Sequence, residues 1–175
     1  MKPPIPAVLG VVVLAAVLAL PAAAQQSSAP APASPAPRAK GPPLAAAVQA
    51  AQAAVAACAA RGYSVTALIT DSAGDPVVLL SGDGAALLTQ RFARIKVATV
   101  LKYKVSSAQV AATAATNPQL AAQIKADPAI GMALPGAVPL MQGTELLGVF
   151  AVSGAAGGDM DAACVQAALA TVPLP

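Results

Sequence analysis

Histidine and tryptophan are absent from this chain, and aromatic residues of any kind make up only 2% of its 175 positions. Without histidine there is no imidazole base, no Ser-His-Asp or Cys-His nucleophile, and no histidine-based metal centre. Cysteine is nearly as scarce: Cys58 and Cys164 alone make a zinc site improbable. Acidic groups are few, with a single glutamate, Glu145. The aspartates fall mostly where structure explains them, Asp71 and Asp75 beside a turn, Asp83 in a glycine loop, Asp159 and Asp161 at a helix start. The catalytic inventory is therefore poor, and an enzyme ranks low among the functions open to the chain.

Long apolar runs are also missing. The run from Ala7 to Leu20 spans fourteen residues, short of the ~20 that a helix needs to cross a bilayer. It follows Lys2, and Pro21 and the small residues Ala22-Ala23-Ala24 come after it, the pattern of a cleavable secretory signal peptide ending at Ala24. No cysteine follows the run, which argues against lipoprotein processing. The expectation is a protein of the periplasm or outside the cell, with no membrane insertion after cleavage. Residues 25–43, QQSSAPAPASPAPRAKGPP, have no apolar periodicity and read as a disordered Pro/Ala/Ser-rich linker. Residues 44–175 are then a single domain.

Cleavage removes Lys2 and leaves nine basic against seven acidic side chains, a net charge near +2. That is too little to argue for nucleic acid. The charge is uneven, however. No acidic residue lies between Asp83 and Asp127, whereas Arg91, Arg94, Lys96, Lys102, Lys104 and Lys125 all do, so one surface should be locally cationic.

Alanine dominates the rest, which implies a lean core held by close helix-on-sheet contact and blurs every periodicity. Leu44, Val48, Ala51, Val55 and Cys58 form one helical stripe that Gly62 stops. Ser64–Thr70 and Pro76–Leu80 read as a hairpin around Asp71-Ser-Ala-Gly74-Asp75. A helix from Ala85 to Lys104 turns Leu88, Phe92, Ile95 and Thr99 inward, with Lys96 on a border of that stripe. A shorter helix at Ser106–Thr116 follows, and Asn117-Pro118 and Asp127-Pro128 punctuate what comes next. Val138–Gln142 and Glu145–Val152 form a second hairpin, and Asp159 is placed to cap a last helix whose inner face holds Met160, Cys164, Ala167 and Thr171. Gly157-Gly158 before that helix lacks the Lys-Ser/Thr of a phosphate loop and reads as a hinge or turn.

Two hairpins among helices imply an α+β sandwich with an antiparallel sheet. The first and last helices can lie side by side, each with one inward cysteine. Cys58 and Cys164 are then either a disulfide, which an exported protein permits, or two buried thiols packed as small hydrophobes.

The ordered motifs resemble the GlcG/HbpS-like heme-binding family, to which the C-terminal domain of PduO-type proteins is related. They are Thr70-Asp71-Ser-Ala-Gly74, Asp83-Gly84-Ala85, Lys96-Val-Ala-Thr99, Leu134-Pro135-Gly136, Val138-Pro139-Leu140, Gly148 to Ala155, and Asp161-Ala-Ala-Cys164. Cys58 ahead of Gly62-Tyr63 is similar to the exported branch. The resemblance implies a profilin-like layered sandwich, a five-stranded antiparallel sheet flanked by helices, with a further short strand near Ala129–Ala133. It also implies a homo-oligomer and an exported, non-catalytic protein that binds heme, a tetrapyrrole or another carboxylate-bearing small molecule. An assembly or interaction module that has lost heme is the alternative, and an enzyme on a small organic substrate the third. Exported relatives often carry a His-Thr pair where this chain has Leu87-Leu88-Thr89, so proximal histidine ligation is excluded here. Tyrosine, methionine and cysteine remain as axial ligands. The expected site uses Arg94, Lys96 and Thr99 with Tyr103 as the iron or stacking contact, and Met132 or Met141 next in line.

Overall fold

The computed structural model describes residues 38–174, so the expected signal peptide and most of the linker lie outside the described residues. Helix α1 (Leu44–Ala59) leads into strands β1 (Thr66–Thr70) and β2 (Pro76–Ser81). Helices α2 (Leu87–Tyr103), α3 (Ser107–Thr116) and α4 (Pro118–Ala126) follow, then β3 (Ala137–Gln142), β4 (Glu145–Ser153) and α5 (Gly158–Thr171).

The strands form one antiparallel sheet in the order β2-β1-β4-β3. Both hairpins form at the expected turns. Asp71 closes the first: its Oδ1 accepts the Ala73 and Asp75 amides at 3.0 and 2.9 Å, and Gly74 takes φ +93°. Central strand β1 is buried along its whole length. Ala67, Ile69, Phe150 and Val152 face α1 and α5, while Leu68, Val149 and Ala151 face α2. The class is α+β, an antiparallel sheet with helices on both faces.

The sheet has four strands among the described residues, not five. The strand expected near Ala129–Ala133 is instead a tight turn after α4. The Ile130 and Gly131 amides donate to Asp127 O, Gly131 takes φ +67°, and Ile130 is buried against Val110 and Ile124. A segment whose amides close back on Asp127 cannot join a ladder. Asn117 accepts the Leu120 amide at 3.0 Å, and Pro118 begins α4, a helix that the punctuation around it had concealed.

Several helices are rotated from their expected faces. The buried stripe of α1 is Ala47, Ala50, Ala51, Ala54 and Cys58, with Leu44 61% exposed. Alanine lets α1 lie close to the sheet, which outweighs the larger area that leucine would bury. On α2 the buried residues are Thr89, Ala93, Lys96, Val97, Thr99 and Val100, while Leu88 is exposed and Phe92 and Ile95 half-buried. On α5 Asp161, Cys164, Val165 and Ala168 point inward, and the helix starts at Gly158 with Gly157 (φ +106°) as its cap, not at Asp159. Cys58 and Cys164 are bridged across α1 and α5 with their Cα atoms 5.6 Å apart, which decides between the two arrangements open to them.

The end of the expected spacer packs on the domain. Arg38 donates to Pro76 O at 2.6 Å and faces the buried Asp71 carboxylate at 3.4 Å, and Lys40 O accepts the Ser72 amide. Lys40 also pairs with Glu145 at 2.7 Å.

Candidate functional site

β4 ends at Ser153, and the chain crosses the top of the sheet before α5 begins. That crossing needs glycine. Gly154 has φ +131°, and a Cβ there would meet Ser64 O at 2.6 Å. Gly136 has φ +118°, and a Cβ there would meet both Lys96 Nζ and Asp161 Cβ at 2.7 Å. The gap left at Gly136 is where Lys96 and Asp161 meet.

These two side chains form a buried ion pair between α2 and α5. Lys96 Nζ donates to Asp161 Oδ2 at 2.6 Å and to Val152 O at 2.8 Å, and the side chains are 2% and 5% exposed. Asp161 Oδ1 accepts the Ala155 amide at 2.9 Å, tying the glycine loop to the same pair. Burial pulls the Lys96 ammonium below its ordinary range, although the Asp161 charge and hydrogen bond oppose this. Burial likewise pushes the Asp161 carboxyl up against the pull of Lys96 and the loop amides.

The pair floors a cavity of about 350 Å³ whose walls are mostly apolar, built from Leu88 and Phe92 of α2, Met132 and Leu134 of the preceding loop, and the 153–158 crossing. A second hollow of about 570 Å³ lies beside it and shares Leu88, Phe92 and Met132 as a common wall. Its own lining adds Arg91, Arg94, Ile95 and the 128–131 turn. Both volumes fall within the ~300–1,000 Å³ of ligand pockets. Leu88 and Met132 are about half exposed at this shared wall, and Leu87 is 81% exposed. One hollow is apolar with a sealed ion pair beneath it; the other carries two guanidinium groups that have no ion-pair partner among the described residues.

The four residues expected to share a site do not come together. Arg94 lines the second hollow and Lys96 floors the first. Thr99 is fully buried, its hydroxyl donating to Ile95 O at 2.9 Å. Tyr103 lines neither cavity; its ring packs with Val110, Ile124 and Ile130, and its hydroxyl is buried without a hydrogen-bond partner among the described residues. Lys102, beside it, pairs with Asp127 at 2.6 Å. A four-residue step along a helix keeps Thr99 and Tyr103 on one face but carries them about two and three turns down the axis from Phe92. Leu88, Phe92 and Asp161 are not among the expected site residues, and Met132 is expected there only as the ligand next in line after Tyr103. Lys96-Val-Ala-Thr99 and Asp161-Ala-Ala-Cys164 both stood among the recognisable motifs, and reading them as one pair would have located the cavity floor.

Comparison with known proteins adds the family. Residues 43–170 match the family described as haem degrading protein HbpS-like. The chain belongs to the HbpS-like family. Its sequence is 28% identical to HbpS of known structure, over 78% of this chain and 94% of that one, with a TM-score of 0.66. A double mutant of HbpS from Streptomyces reticuli gives 28% identity, 83% and 98% coverage, and a TM-score of 0.66. The C-terminal domain of PduO in complex with heme shares the fold at 20% identity, 77% and 97% coverage, and a TM-score of 0.69. No curated protein matches the chain. Among the described residues this HbpS-like chain has no cluster of three metal-ligating side chains, and no helix long and apolar enough to cross a membrane.

Proposed function

We propose that this HbpS-like chain is an exported protein that binds heme or a related tetrapyrrole without doing chemistry on it. One observation carries the reading: an apolar cavity opens beside a hollow bearing Arg91 and Arg94, across a wall of Leu88, Phe92 and Met132. A tetrapyrrole is a flat apolar body with carboxylates on one edge, and this pairing of surfaces suits both parts. The family supports it, since relatives include HbpS and a PduO domain solved with heme. The residues present fit heme in its ring and its carboxylates, and a methionine stands in the wall where the chain has no histidine to offer. Heme brings its own redox chemistry. The chain's part is to bind it, to orient its carboxylates, and to keep water from the apolar cavity.

The non-catalytic part of the reading rests on the cavity floor. Lys96 and Asp161 are the titratable groups there, and they are spent on each other, on Val152 O and on the Ala155 amide. Export is supported by the leader pattern and by the Cys58–Cys164 bridge, which suits an oxidising compartment. Hemin titration followed by visible absorbance tests binding: a saturable Soret shift is the expected result. No shift at micromolar hemin sinks it and leaves the assembly module, for which the exposed Leu87, Leu88 and Met132 would be the contact. N-terminal sequencing of the exported protein tests the leader, with Gln25 expected first.

A further inference from the structure

We propose that Met132 supplies the axial ligand to heme iron, so that the site favours the reduced form. The inference rests on the heme-binding reading above. Few donor atoms around the cavities are free to take a metal. The chain has no histidine, and both cysteines are consumed in the bridge and wholly buried. Neither tyrosine lines the apolar cavity or the arginine hollow; Tyr63 packs against the α1–α5 cluster and Tyr103 against the α3–α4 cluster. Lys96 and Asp161 are locked together, and an iron bond to either would leave its partner as a buried lone charge. The Thr89 hydroxyl is held by Ala86 O and by Thr66 at 2.7 Å each. The Ser153 hydroxyl remains, but it is 4% exposed and a hard donor of little affinity unless ionised.

Met132 is placed differently. It is half exposed, and it belongs to the wall common to the apolar cavity and the arginine hollow. It stands on the turn fixed by Asp127 O and anchored by buried Ile130, so its backbone is held while its side chain is free to reorient. Methionine has a flexible stem and a soft, polarizable thioether. Soft donors suit lower oxidation states, and methionine ligation raises heme potential relative to oxygen ligands. Ferrous heme should therefore bind more tightly than ferric heme.

The test uses the mature protein and hemin alone, with and without dithionite, on wild type, Met132→Leu and Met141→Leu. Leucine conserves volume and apolarity, so the cavity wall survives while the sulfur is lost. Met141, 39% exposed on β3 and outside both hollows, is the control. Met132→Leu should change the visible spectrum and weaken ferrous binding about tenfold more than ferric, equivalent to a potential drop of ~59 mV for one electron. Met141→Leu should match wild type. If Met132→Leu binds hemin with wild-type spectrum and potential, the ligand assignment falls and the heme reading stands. If wild type shows no saturable binding in either redox state, the heme reading falls and takes the ligand with it.

Discussion

Replacing Lys96 by methionine removes the cation from the cavity floor and leaves the buried Asp161 carboxylate without its counter-charge. At 2% and 5% side-chain exposure the pair is not screened by solvent. Breaking such a pair costs about 3–5 kcal/mol, because one charge stays buried without its partner. Against a total stability of ~5–15 kcal/mol, that is a large fraction. With a urea m-value of about 2 kcal/mol/M, the midpoint should fall by roughly 2 M. The paired replacement Lys96→Met with Asp161→Leu should be far milder. It removes both charges; Val152 O loses its Lys96 donor as it does in the single variant, and the Ala155 amide is newly orphaned at about 1–3 kcal/mol, against a gain of similar size from apolar packing. The pH dependence has a definite sign. Burial raises the Asp161 carboxyl above its unfolded value, so its contribution is most favourable below the ordinary carboxylate range and is lost as pH rises through the folded value. Without Lys96 to oppose that shift, the Lys96→Met deficit should shrink as pH falls from 7 toward ~4. Urea titrations at several pH values measure all of this. A loss under about 1 kcal/mol in Lys96→Met, or a double variant as unstable as the single, would refute the account of an uncompensated charge.

Four further outcomes are expected. Reducing the Cys58–Cys164 bridge frees a loop with a sequence separation of 106, which the chain-entropy relation converts to about 4.8 kcal/mol, read as a lower urea midpoint; a change within error would contradict it. Tyr103→Phe removes a buried hydroxyl that has no partner among the described residues, so it should be neutral or stabilising by about 1 kcal/mol and leave any heme spectrum untouched. Its failure would put Tyr103 back at the ligand. The Lys102–Asp127 hydrogen bond lowers the Asp127 carboxyl and raises the Lys102 ammonium, so it stabilises the turn above the first group's unfolded value and below the second's. Protection of the Ala129 and Ile130 amides, measured relative to intrinsic exchange at each pH, should therefore fall below pH ~4, and unchanged protection would dismiss the pair. Arg91→Ala with Arg94→Ala should weaken hemin binding several-fold and make it less salt-dependent, whereas a dimethyl-ester hemin should not distinguish the variant from wild type.

The parts of this molecule that could be read from its sequence are those where local chemistry is decisive. Asp71 and Gly74 define one hairpin, Gly143-Thr144 the other, and the inward cysteines placed α1 and α5 side by side. Helix faces are less legible, because alanine serves either side. The stripes on α1, α2 and α5 are each rotated from the faces the periodicity indicates, and Lys96, which it puts on a border, is buried. Its partner Asp161 lies 65 residues away on another helix, and no spacing signals that meeting. The missing fifth strand has a similar cause, since nothing in Ala129–Ala133 announces that its amides turn back to Asp127. The cationic segment was legible as a stretch of sequence but not as a surface. On the helix, Arg91 and Arg94 reach the second hollow, whereas Thr99 and Tyr103 go to packing.

The docking of Arg38 on Asp71 sets how this domain can be handled. Asp71 closes the end of β1 opposite Thr66, which pairs with Ser153 beside the cavity. At ~3.3 Å per residue those two ends of β1 are about 16 Å apart. Helix α5 begins at the cavity and runs fourteen residues away from it, about 20 Å at 1.5 Å per residue. Both boundaries of the described chain therefore lie toward the end of the sheet away from the cavity. A tag, a surface linker or a fused reporter joined at either boundary would leave the mouth clear, so an immobilised sensor could be built in either orientation. Removing Arg38 and Lys40 to shorten such a linker would strip the hairpin of its clasp, and the attachment point should stay upstream of residue 38.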